Sequence, residues 1–348
     1  MKLEKFMLHS DIAKIEYENV RLINNSGMEV VLSSVGAGIR SIKVPTLDGT
    51  QKEMTFVPLG DNEFPFVYHG KTIGRTSGRI KDATFTLGNR TAVLEKNNFG
   101  QDNLHGGKRS FNSFLFSLDT KESNDYTDVI FKYTSPDGEN GFFGTIDVTI
   151  TYRVFENENA VRIFFDGKAD SLVLMNLTNH AFFNLAGDPT SPIDEQILYI
   201  NASKYTRLGK TLLCESIDEV TKEFDFRTPH RIGDYNRSTP LQTVTKGYDH
   251  PFFLDESGMD KLAASLYSKD SGVKLEVRTT YPCCVIFSPT NPFTDIKREG
   301  IDYSKVRTCC IECQFFPDGV HMFKERNGVF DENHPYHEET EFKFVLVK

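Results

Sequence analysis

Tryptophan is absent from the 348 residues, so if a sugar or other flat ligand stacks here, one of 29 phenylalanines or 13 tyrosines must supply the apolar face. Long apolar runs are absent as well. No stretch approaches the roughly 18 residues that a bilayer-crossing helix needs, and the opening MKLEKFMLHSDIAKIEYENV scatters charges where a secretory signal has an apolar core. These features predict no membrane partner and a cytoplasmic location. Basic residues never gather into a stripe. With 40 Lys and Arg against 49 Asp and Glu, the net charge of −9 argues against nucleic acid and favours a neutral small molecule. Cysteines number six, and the adjacent pairs Cys283-Cys284 and Cys309-Cys310 suit a disulfide framework poorly. Reduced thiols are expected.

Helical periodicity is scarce; DEVTKEF (218–224) is at most a short turn of helix. What dominates is period-two alternation. In TIDVTITYRVFE, Ile146, Val148, Ile150, Tyr152 and Val154 share one side and Asp147, Thr149, Thr151 and Arg153 the other, the pattern of a half-buried strand. GVKLEVRTT repeats it with Val273, Leu275 and Val277, and ETEFKFVLVK with Phe342, Phe344 and Leu346. AVRIFFDGKADSLVLMNL reads as strands joined at a glycine-containing turn. No internal repeat or linker divides the chain. The expected fold is all-β, one large antiparallel β-sandwich domain over residues 1–348.

Two motif-like stretches carry no chemistry. VGAGIRS lacks the third glycine of a dinucleotide fingerprint and runs into the extended SIKVP rather than a helix. CIEC (310–313) has no second pair, and on a strand Cys310 and Cys313 point to opposite faces.

Five other stretches do carry chemistry. GRTSGRI (74–80) offers Arg75 and Arg79 as guanidinium forks for ligand oxygens, although a surface turn is the plainer reading. NNFGQDNLHGG (97–107) is a loop in which Gly106 and Gly107 let backbone approach a ligand beside His105. LTNHAFFNL sets His180 inside an apolar run. GYDHPFFL places Asp249 and His250 before another, where a turn or cap role for Asp249 competes evenly with ligand binding. CCIECQFFPDG buries Glu312 in a strand, which is costly unless the carboxylate is used or paired with Arg79 or Arg307. There is no serine nucleophile elbow and no clustered metal ligand set, so no metal is expected. An acid, a base and hydrogen-bonding groups suit proton transfer on a polyhydroxylated substrate.

GRTSGRI, NLHGG, LTNHAFFNL, GYDH and ECQFFPD, in this order and spread over most of the chain, resemble the motifs of the aldose 1-epimerase (galactose mutarotase) family. The resemblance implies a β-supersandwich, an aldohexose as small-molecule partner, and interconversion of its α and β anomers without a cofactor. Carried over, it makes Glu312 the general base for the anomeric hydroxyl and His180 the general acid for the ring oxygen, on opposite sides of the hemiacetal. Arg79, His105 and Asp249 would hold sugar hydroxyls. An ionised Glu and Asp nearby are expected to favour protonated His180.

The chain departs from the family pattern at Cys283 and Val285, where Gly and Gln are common, at Gly78 and at His321, where Asn is common. These positions bear on which sugar is preferred. Three alternatives remain at this level: a sugar-phosphate epimerase gripping phosphate with Arg75 and Arg79, a non-catalytic sugar-binding sandwich, and a glycoside hydrolase using Asp249 with Glu312.

Overall fold

The computed structural model describes residues 1–58, 68–235, 244–289 and 305–347. Every strand pairing among them is antiparallel, the single parallel bridge being Thr76 with Asn176. A nine-stranded sheet forms one layer. Its centre is Ile146–Phe155, Ala160–Ala169, Tyr336–Leu346 and Val273–Thr279, hydrogen-bonded in that order. A five-stranded sheet is made by the first 53 residues, from Lys2–Ser10 to Gln51–Glu53. A six-stranded sheet runs Phe182–Phe183, Cys309–Gln314, Cys283–Pro289, Gly247–Phe253, Lys204–Leu208 and Cys214–Glu219.

Alternation explains the layers. Ile146, Val148, Ile150, Tyr152 and Val154 are all buried and line the inner face, as the pattern predicts, and so are Val273, Leu275 and Val277. Each such side chain gains roughly 1.5–3 kcal/mol on burial, so a one-residue slip would forfeit a whole face. The core joins Val20 and Val30 of the five-stranded sheet to Val148 and Phe342 of the nine-stranded one and Ile286 and Ile311 of the six-stranded one. Direct contacts fix the stacking: the Phe183 and Phe342 rings are 5.2 Å apart, and the Tyr152 hydroxyl donates to the Ala37 carbonyl at 2.7 Å.

Two details differ from the sequence reading. Leu346 is 46 % exposed, because the strand outruns the core at its end. Gly167 is not a turn residue but lies inside Ala160–Ala169; the chain reverses after it, at Asp170 and Ser171. A Cβ at Gly167 would stand 2.7 Å from the Met175 terminal methyl, so glycine makes room for the core there. Residues 222–224 form a turn without helix, and VGAGIRS continues into the strand Gly38–Pro45 as expected.

Candidate active site

Register on the six-stranded sheet decides which side chains meet. Asp249, Phe287 and Cys310 are opposite one another across three strands, and Pro251, Val285 and Glu312 form the next row. Opposed residues and those two apart share a face, so Asp249 and Glu312 rise from the same side of the sheet. The other side carries Ile286, Ile311, Cys284 and Cys313 into the main core.

His180 reaches Glu312 from a different element. It follows the short strand Thr178–Asn179, and its backbone is clamped on both sides: its N–H donates to Lys71 O and its carbonyl accepts from Gly70 N–H, each at 2.9 Å. The imidazole lies between the Phe182 ring, stacked at 4.8 Å, and the Tyr68 ring at 5.9 Å. Its Nε2 is 3.4 Å from Glu312 Oε1, with both side chains about 95 % buried. The pair therefore stands side by side rather than across a ligand from each other. That geometry suits a hemiacetal, whose two reacting oxygens share one carbon.

His105 completes a trio. The backbone at His105 is left-handed (φ 53°), and its N–H donates to Gly78 O at 2.9 Å while Gly78 N–H donates to His105 Nδ1 at 3.1 Å. The second bond fixes the tautomer: Nδ1 accepts, so Nε2 carries the hydrogen and is a donor. Gly106 is required for a different reason than ligand approach. At φ +77° its Cβ would lie 2.6 Å from Gly74 O, so the loop backbone presses on the first arginine segment, not on the cleft.

His105, His180 and Glu312 bring potential ligand atoms within 4.8 Å of one another, a cluster invisible in sequence because its members lie far apart along the chain. It is poorly made for a cation, since the Gly78 bond leaves His105 presenting an N–H where a metal needs a lone pair.

The arginines separate. Arg79 donates from Nη2 to Asp249 Oδ2 at 3.1 Å, across the cleft edge, which places Asp249 in an ion pair rather than in a turn. This also engages the carboxylate that a two-carboxylate hydrolase would need. Arg75 points away. It is 2 % exposed and donates to Ser135 Oγ, Ser135 O, Pro136 O and Phe143 O. Neither reading of Arg75 holds, the solvated surface turn or the ligand grip, and with the second goes the paired-arginine phosphate clamp. Glu312 has no ion pair with Arg307, whose Nη1 donates to Val306 O.

Burial sets the charges. Desolvation raises the Glu312 carboxyl well above its ordinary range, with the Asp249 charge adding to it and Arg79 opposing. Asp249 is raised by burial too, with Arg79 lowering it. His180 is pushed down to about 4 by burial, and His105 also falls well below its ordinary value, by burial first and then by His180 and Arg79. A protonated resting His180, expected from its acidic neighbours, is thus corrected: burial disfavours the charged ring.

Tyr68 and His69 were missed. His69 stacks on Phe182 at 4.0 Å, opposite His180, so the three rings form one slab that fixes the imidazole. The only hint was His-Gly at 69–70, just before the first arginine segment. Gly78 accepts a positive φ of 73° with the Pro317 ring 2.7 Å from where its Cβ would be. His321 sits outside this group, 2.6 Å from Asp318.

Residues 18–343 match the profile of the aldose 1-epimerase family. The chain belongs to that family. This family member is similar to the aldose 1-epimerase of Haemophilus influenzae, 30% identical over 334 residues, 94% of this chain and 96% of that one. It is 29% identical to the galactose mutarotase of Homo sapiens over 352 residues, 99% and 95% of the two chains. Among solved structures, a galactose 1-epimerase from Lactobacillus acidophilus NCFM superposes with a TM-score of 0.85 over all of both chains at 23% identity, which shows the shared supersandwich fold. Like its curated relatives, this aldose 1-epimerase family chain is an isomerase. None of its described helices is long and apolar enough to cross a membrane.

Proposed function

We propose that this chain interconverts the α and β anomers of a free aldohexose, galactose or glucose, by proton transfer between the sugar and the Glu312–His180 pair. The observation that carries the reading is the 3.4 Å approach of His180 Nε2 to Glu312 Oε1 in a dry cleft. Together the pair holds one transferable proton, which passes from Glu312 to His180 as the sugar binds and leaves the carboxylate free to act as base. Glu312 takes the proton of the anomeric hydroxyl as His180 gives one to the ring oxygen; the C1–O5 bond breaks, the C1–C2 bond turns, and the reverse transfers close the other anomer. Each positioned acid or base contributes typically 10²–10⁴-fold. His105 Nε2–H, Arg79 and Asp249 hold hydroxyls, and the partly exposed Phe287 offers the apolar face. A reducing cytoplasm fits six free cysteines.

Polarimetry of freshly dissolved α-galactose or α-glucose tests this. Purified protein should speed the decay of rotation, and Glu312→Gln and His180→Asn should each slow it by about 10²-fold or more. Wild-type rates in both variants would refute the assignment.

A further inference from the structure

Cys284 and Cys313 oppose each other across adjacent strands, one residue from Val285 and Glu312 in the next row. Their sulfurs are 3.2 Å apart, and both lie on the core face of the sheet. Opposed residues of an antiparallel pair have Cα atoms about 4.5–5.5 Å apart, inside the roughly 4.4–6.8 Å that a disulfide spans. The other four cysteines are placed differently. Cys310 faces Phe56 and Phe182 on the cleft side, Cys283 opposes Gln314, Cys309 opposes Phe183, and Cys214 lies on the outermost strand of the sheet.

We propose that Cys284 and Cys313 are a latent disulfide site, closed by two-electron oxidation and coupled to the active-site strand through Glu312. A small disulfide such as oxidised glutathione, or a diazene, supplies the oxidising equivalents. Both S–H bonds break and one S–S bond forms. The oxidant takes up two electrons and two protons, becoming two thiols or a hydrazine. The contact with Cys313, and then burial, raise the Cys284 thiol well above its ordinary range, so closure waits on local opening of the strands. Opening is confined, because Phe182–Phe183 pairs with Cys310 and Cys309 on one side and is held by Thr55 and Phe56 on the other, while Asn176 holds Phe315 just beyond the cysteine. Drawing the two sulfurs into a bond shifts the backbone beside Glu312 but not His180, which rides on another element.

The cross-link itself goes beyond the proposed sugar chemistry and is read without it; only the activity arm rests on that reading. The reduced full-length protein is incubated with diamide, its thiols are counted after denaturation, and its peptides are mapped without reduction. The count should fall by two from six, with one bridged species joining the Cys284 and Cys313 peptides. Mutarotation should drop several-fold and recover with dithiothreitol. Cys284→Ala and Cys313→Ala should each abolish the bridge and the diamide sensitivity. Retention of all six thiols, or a bridge elsewhere, overturns the site; a mapped Cys284–Cys313 bridge with unchanged activity overturns its coupling to Glu312.

Discussion

Replacing Arg75 by methionine should unfold the protein more easily while sparing its chemistry. The guanidinium donates four hydrogen bonds at 2.8–3.1 Å, three of them to backbone carbonyls of residues 135, 136 and 143. Ser135 Oγ also bonds the Glu139 carboxylate, so the arginine balances that charge as well. Bonds from a charged donor are worth roughly 1.5–3 kcal/mol each, which sets a gross loss of about 6 kcal/mol or more. Methionine relieves the cost of holding a cation where burial has pushed its pKa down to about 10. The net loss should be about 3–5 kcal/mol, the range for breaking a buried charged network. Far-UV circular dichroism in urea measures it, since no tryptophan is present to report unfolding. At low temperature, where the variant stays folded, its mutarotase rate should lie within about threefold of wild type. The reasoning is refuted by a stability loss below about 1 kcal/mol, or by lost activity in a variant as stable as the parent.

His250 gives a pH test. Its ring packs 4.9 Å from Phe224 and accepts Asp249 N–H at Nδ1, and burial pushes it from 6.5 to about 3. The unfolded chain binds a proton there near 6.5 and the folded chain does not, so stability is lost as pH falls below 6.5. At pH 5 the loss from this one group is about 2 kcal/mol. Urea unfolding of His250→Gln at pH 7 and pH 5 should show a pH dependence shallower by that amount; equal dependence in both proteins would contradict the linkage. Gly78→Ala should cost about 1–3 kcal/mol, from its φ of 73° and the Pro317 ring. It should also raise KM, because the Gly78 N–H that orients His105 shifts; an unchanged KM in a folded variant would separate His105 from the sugar.

The strands were legible because alternation is local: each residue from Ile146 to Val154 reports its own side. The five motif stretches were legible for the same reason, each being a short run of unusual residues. What sequence could not supply was direction. Arg75 and Arg79 share one motif, yet one side chain turns back to cap the carbonyls of 135–143 and the other leans over the cleft to Asp249. Spacing along a turn does not encode that choice; the partner segments, some 60 and 170 residues away, do. Likewise, Cys313 was correctly placed on the face opposite Cys310, but its contact with Cys284 depends on the register between two strands that no local pattern states.

Depth was the other hidden quantity, and it governs how the acid and base operate. Holding His180 at about 4 costs its charged form roughly 3 kcal/mol relative to water, and Glu312 carries a desolvation penalty of its own. Against these stands the attraction of imidazolium for carboxylate at 3.4 Å, about 5 kcal/mol at an effective dielectric constant near 20. Burial favours the neutral pair at rest, with the proton on Glu312, and the attraction across 3.4 Å lowers the cost of moving that proton to His180 when the sugar reacts. A residue pair ionised outright would resist returning the proton. Exposing Glu312 alone would return it to the ordinary carboxylate range and strand the neutral His180 without a proton to give.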